Sequence, residues 1–180
     1  MDQISQLASE LGLLLKALNA QVTTAESCTG GGIAEAITRI AGSSAWFEAG
    51  FVTYSNQQKT RQLEVPEPLF TRVGAVSREV VEAMVQGAQA QSGARFAVAV
   101  SGVAGPGGGS PEKPVGTVWL AWGAGDEVSP PAELEAPARD EVSSERRHFA
   151  GNRDEVRRQT VIAALEGLIR RTVREIKNQG

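Results

Sequence analysis

The stretch ARFAVAVSG, residues 94–102, constrains the fold more than any other part of this chain. Phe96 to Val100 are apolar without a break, so the run lacks the polar alternation of a strand with one face in water. A strand of that kind is covered on both faces, as in parallel sheets packed between helices. The rest of the chain supplies the cover. Ile4, Leu7, Leu11, Leu14, Leu15 and Leu18 share one face of a helix predicted over 3–19. QVTTAES (21–27) is β-prone. GGGIAEAITRIAG (30–42) has helical spacing at Ile33, Ala34, Ile37 and Ile40, with Gly42 as its stop. WFEAGFVTYS (46–55) reads as a strand, and NQQKTRQL (56–63) as a helix capped by Asn56.

A helix follows over 77–93, capped by Ser77, and VGTVWLAWG (115–123) is a further strand. Residues 124–147, with Pro130, Pro131 and Pro137, predict a loop or a partly exposed strand. RDEVRRQTVIAALEGLIRRTVREI (153–176) is a long closing helix, apolar at Val156, Ile162, Ala163, Leu165, Ile169 and Val173. Strands alternating with helices predict an α/β three-layer sandwich, with a mainly parallel sheet flanked by helices. With no internal repeat and no linker, residues 1–180 form one domain. In such sheets ligands sit beyond the carboxyl ends of the strands, so the residues after VTTA, GFVTY and FAVAV carry the weight.

Composition narrows the chemistry. The net charge of −3 does not suit a nucleic-acid or membrane-surface partner, and no apolar run approaches the ~20 residues of a membrane span. Cys28 is the only cysteine, which excludes an intrachain disulfide. One His and one Cys do not make a zinc set, so neither a metal nor another cofactor is expected. The first residues lack the basic region and cleavage site of a signal peptide, and a cytoplasmic location is expected.

Three strand ends offer reactive groups. The first carries Glu26, Ser27 and Thr29, then Gly30, Gly31 and Gly32 at a helix start, where free N–H groups suit a phosphate or an oxyanion. The pattern is neither a Walker loop nor a GxSxG elbow, and a plain helix cap is the competing reading. The second offers Tyr54, Ser55, Asn56 and Lys59. A desolvated lysine can serve as base to a serine, a pairing that needs no histidine. His148, the only histidine, reads as solvated or at the core edge. The third is Ser101 and the glycine-rich segment after it, a ligand loop whose amides can form an anion nest. Arg153 falls in the first turn of the closing helix, where it opposes the helix dipole unless an anion binds. Glu26 and Glu48 can each orient a lysine or bind a ribose hydroxyl, and spacing does not choose between them.

TTAESCTGGGIAEAITRIAGSSAWFEAGFVTYSNQQK, GAVSREVVEAM, VAVSGVAGPGGGSPEKPVGTVWLAW and FAGNRDEVRRQT, in this order, resemble the CinA C-terminal domain family. The resemblance runs from about Ser5 to Leu168, and that family includes stand-alone nicotinamide-nucleotide amidohydrolases. It implies deamidation of nicotinamide mononucleotide (NMN) to nicotinate mononucleotide and ammonia in pyridine-nucleotide salvage. It also implies a single amidohydrolase domain over 1–180 and a homodimer or higher symmetric assembly. Larger members carry an additional N-terminal domain with a second activity. This chain begins just ahead of the deamidase-like segment, so that activity is not expected. Ser101 stands where many members have Thr, and Gly151-Asn152-Arg153 where GDR is common.

For that reaction the residues suggest Ser27 as nucleophile, neutral Lys59 as base, and Tyr54 relaying a proton or holding the lysine. Amides at Thr29 and Gly30, with Gly31 beside them, would meet the oxyanion. Ser101, Gly105, Gly107 and Gly108 would position ribose or phosphate, with Arg153 as charge partner. Ser44 is the rival nucleophile, and lies away from the others if the second strand runs parallel to the first. Three other functions compete: a non-catalytic module that binds or senses a pyridine nucleotide, an amidohydrolase acting on another small amide, and a metal-dependent phosphohydrolase.

Overall fold

The computed structural model describes residues 1–125 and 141–180. In chain order the elements are α1 (Gln3–Leu18), β1 (Val22–Glu26), α2 (Gly32–Thr38), β2 (Phe47–Val52), α3 (Asn56–Leu63), α4 (Pro68–Arg72), α5 (Arg78–Ser92), β3 (Phe96–Gly102), β4 (Thr117–Ala124), β5 (Glu141–His148) and α6 (Arg153–Asn178). A short 3-10 turn, Ser43–Ala45, precedes β2.

The strands form one sheet in the order β2-β1-β3-β4-β5. β1 runs parallel to both β2 and β3, whereas β3–β4 and β4–β5 are antiparallel. The sheet is therefore mixed, which corrects the mainly parallel sheet expected from the alternation of elements. The reason is the connection: residues 103–116 contain no helix, and without a crossover the chain must turn back beside the strand it has left.

Side-chain size divides the two layers. Phe96, Val98 and Val100 of β3 face the core under α1, α2 and α6, while Ala97 and Ala99 face the α5 side with Val81, Met84, Val85 and Ala88. Small residues on that face let α5 lie close to the sheet. Gly87 allows a second close approach, since a Cβ there would overlap the main-chain carbonyl of Leu63 at the end of α3. On the other face, Trp122 of β4 is fully buried and donates its indole N–H to Ala164 O at 3.0 Å. The absence of a side chain at Gly167 of α6 leaves room for that ring.

Ser77 caps α5 as expected, with its hydroxyl accepting from Val80 N. α3 differs: Ser55, in extended conformation, accepts from Gln58 N and is the cap, so Asn56 becomes the first helical residue. α2 stops at Thr38, short of Gly42, which instead opens the 3-10 turn in a left-handed conformation. The five-residue α4 is too short to show a helical period. Of the expected loop or strand over 124–147, β5 is seen, and residues 126–140 lie outside the described residues.

Candidate active site

Ser27 follows β1 directly, and its N–H donates to Val100 O at 3.2 Å, extending the β1–β3 pairing by one residue. Lys59, in the second turn of α3, reaches the same place from the next strand end. Its Nζ is 3.0 Å from Ser27 Oγ and 3.0 Å from Tyr54 O. The lysine is only 1% exposed and forms no ion pair among the described residues. Burial pushes its pKa down from the ordinary value, outweighing an opposing effect from Cys28.

These residues line a cleft of about 280 Å³ at the carboxyl ends of β1, β2 and β3. Tyr54, Ser101, Gly105, Gly107, Gly108 and Arg153 line it as well. The capping box of α6, between Asn152 and Glu155, places Arg153 at the helix start. From there it donates to Gly105 O at 2.7 Å and to the Tyr54 phenol oxygen at 3.2 Å. Tyr54 is 61% exposed and holds Lys59 through its main-chain carbonyl, with its phenol turned to the arginine. Among the described residues, the N–H groups of Cys28, Gly105, Gly107 and Gly108 donate to no protein acceptor.

The start of α2 is a different matter. Fully buried Glu26 accepts from Thr29 Oγ1 at 2.6 Å, Ile33 N at 2.8 Å and Ala34 N at 3.0 Å. The protein's own carboxylate thus occupies the helix terminus that the glycines appeared to leave for a ligand. Gly30 N donates to Ser27 O at 3.0 Å within the turn, so that amide is not free for an oxyanion either. Gly31 caps α2 with φ +103°, a conformation costly for any side chain. Thr29, Gly30 and Gly31 are not among the residues lining the cleft, and of the two expected oxyanion donors the Gly30 amide is committed within the turn while the Thr29 N–H donates to no acceptor among the described residues. Glu26 makes no hydrogen bond to Lys59 and is not among the residues lining the cleft.

Ser44 lies in the 3-10 turn before β2, and because β2 is parallel to β1 it sits at the opposite end of the strands from Ser27. Glu48 is exposed on the edge strand, and His148 Nε2 pairs with Val115 O at 3.0 Å outside the cleft. Cys28 lines the cleft, but burial pushes its thiol up to about 11, which leaves it un-ionised near neutrality. Asn56, Ala75 and Val76 complete the wall. Ala75 and Val76 lie in the GAVSREVVEAM segment but carry no reactive group, and residue chemistry alone gave no reason to place them at the cleft. No carboxylate is among the lining residues, and no group of three or more His, Cys, Asp or Glu among the described residues could hold a metal ion. No described helix is long and apolar enough to cross a membrane.

A family model described as CinA C-terminal domain matches residues 4–172. A nicotinamide-nucleotide amidohydrolase PncC of Pseudomonas putida is 72% identical over 94% of this chain and 97% of its own length. The protein of that name in Escherichia coli K12 is 51% identical over 93% of each. A crystal structure of a competence-damaged protein (CinA) superfamily member from Klebsiella pneumoniae 700603 superposes with TM-score 0.85 at 32% identity, covering 96% of this chain and 99% of that one.

Proposed function

The chain belongs to the CinA C-terminal domain family, and from that premise we propose that it hydrolyses the carboxamide of nicotinamide mononucleotide to nicotinate mononucleotide and ammonia. The observation that carries the reading is the buried 3.0 Å contact between Ser27 Oγ and Lys59 Nζ. An amide is a poor electrophile, and a serine hydroxyl attacks it only when a base removes the proton. Lys59 serves as that base because burial favours its uncharged amine.

In the acylation step Ser27 Oγ bonds to the carboxamide carbon, and its proton passes to Nζ. The C–N bond then breaks as Nζ hands the proton to the leaving nitrogen, which departs as ammonia. Water repeats the sequence: its proton goes to Nζ, its oxygen bonds to the acyl carbon, and Oγ recovers the proton as it leaves. Cys28 N–H, next to the nucleophile, is the main-chain donor available to the oxyanion. Arg153 and the free amides of Gly105, Gly107 and Gly108 receive the phosphate, with Ser101 toward the ribose. Tyr54 keeps Lys59 in place through its carbonyl.

The test is ammonia release from the nucleotide. Ser27→Ala is expected to lower kcat by ~10³-fold or more, while Ser44→Ala leaves it within about twofold. Near-normal turnover in Ser27→Ala would remove the assignment. The same reading places the enzyme in the cytoplasm, in pyridine-nucleotide salvage, as a homodimer or higher symmetric oligomer. Light scattering of the purified chain checks the last point.

A further inference from the structure

Lys59 carries a hydrogen-bond count that the protein alone does not close. As a neutral amine it donates one N–H to Tyr54 O, turns its lone pair to the Ser27 hydroxyl and keeps one N–H without a partner among the described residues. As an ammonium it has three donors, and the described residues offer two oxygens, Ser27 Oγ and Tyr54 O, each at 3.0 Å. One donor is again unpaired, and a charge without a counter-ion is added on a side chain 1% exposed. A buried ammonium of that kind is costly unless a ligand brings an anion to it.

Among the described residues, no neighbouring element supplies that anion. On β1 and the turn after it, Glu26 is committed to α2 and Cys28 keeps its proton. On α5, Glu82 faces Ser144 and Arg78, and Glu79 makes no ion pair with the lysine. Arg61 is exposed on α3 itself. On α6, Arg153 is turned to Gly105 and Tyr54, and Arg157 to Thr29 O.

The reaction does supply one. Resting on the amidohydrolase reading, we propose that Lys59 meets the substrate as an amine and the product as an ammonium. The cleft thereby distinguishes carboxamide from carboxylate by charge and is held back by its own deamidated product. When Oγ leaves, the product is a carboxylic acid within reach of Nζ. Its proton passes from the carboxyl oxygen to the lone pair of Nζ, giving a carboxylate against an ammonium. The carboxylate fills the third donor and neutralises the charge. The substrate places a cationic pyridinium ring and a neutral amide at the same point, which favours the uncharged amine.

Linkage sets the direction. Product binds the protonated enzyme and substrate the unprotonated one. The ratio of product Kd to substrate Kd is expected to rise by about tenfold per pH unit. The phosphate of each nucleotide titrates near ~6, and that effect cancels in the ratio.

The experiment is calorimetric titration of both nucleotides between pH 6 and 9. NMN is titrated into Ser27→Ala so that it survives, and nicotinate mononucleotide into both wild type and Ser27→Ala. Each is repeated in two buffers of different ionisation enthalpy. Above the Lys59 pKa of the free enzyme, product binding is expected to take up about one proton and substrate binding none. In Lys59→Met the product's proton uptake is expected to vanish and its affinity to fall. Above that pKa NMN affinity is expected to stay within about threefold of that of Ser27→Ala, and its pH dependence from the lysine to disappear. A pH-independent ratio, or a ratio that rises with pH while neither product uptake nor substrate release of a proton is detected on binding, overturns the inference while leaving the amidohydrolase reading intact. Absence of ammonia release by the wild type from the same preparation overturns both.

Discussion

A lysine enclosed by a hydroxyl, a main-chain carbonyl and apolar walls loses most of the hydration that stabilises its charge. Its titration should be visible in two measurements. kcat/KM is expected to rise with pH through a value below 10.5, the ordinary lysine pKa, because only the amine form accepts the serine proton. Stability should move the same way. The unfolded chain holds its proton up to 10.5 while the folded one releases it lower, so between the folded value and 10.5 unfolding takes up a proton and stability rises with pH. Lys59→Met is expected to flatten that rise in chemical-denaturation curves. Lys59→Arg, which stays charged, is expected to lose activity by ~10³-fold or more at every pH. The residue types of this pair were legible in the sequence as a hydroxyl and an amine after two strands. Their pairing was expected from the sequence, and the 3.0 Å contact that joins these residues 32 apart comes from the pairing of β1 with β2.

At the scale of elements, the turn before α2 shows how a motif can mislead. Three glycines ahead of a helix suggested an anion cradle. Glu26, the last residue of β1, reaches forward and fills it, satisfying the buried amide of Ile33 and the partly buried amide of Ala34. Nothing in the spacing distinguishes an acid that caps from one that catalyses. α3 is placed by an equally local device, the absence of a side chain at Gly87, which lets α5 touch Leu63 O. Gly87→Ala should force the two helices apart and shift Lys59 with α3. A loss of about 1–3 kcal/mol is expected in denaturant unfolding. A fall in kcat of ~10–100-fold is expected alongside it, since proton transfer depends on sub-ångström placement. An unchanged kcat at that loss of stability would show that α3 keeps its position without the close contact.

Across the whole molecule, Arg153 ties three separate segments to one cleft: α6 by its backbone, the β3–β4 loop through Gly105, and the β2–α3 connection through Tyr54. If it is also the phosphate partner, Arg153→Ala should raise KM for NMN by ~10–100-fold, the value of one or two charge-assisted hydrogen bonds. The same change should narrow the preference for NMN over its dephosphorylated riboside. Steady-state kinetics on the two substrates would decide, and an undiminished preference would assign the phosphate to the loop amides alone.

The amphipathic spacing of α1 and α6, the apolar run of β3 and the cap at Ser77 are written within a few residues of where they act. The sequence alone therefore determined the elements and the strand ends that bear reactive groups. Tertiary structure decided the rest. It turned β4 and β5 antiparallel, gave the α2 terminus to Glu26, and put Ser44 at the far end of β2 from Ser27. It also carried Lys59 and Arg153 to one cleft from positions nearly a hundred residues apart. Those outcomes depend on which strands pair and which side chains compete for the same buried donors, and such long-range competitions leave no period or spacing along the chain.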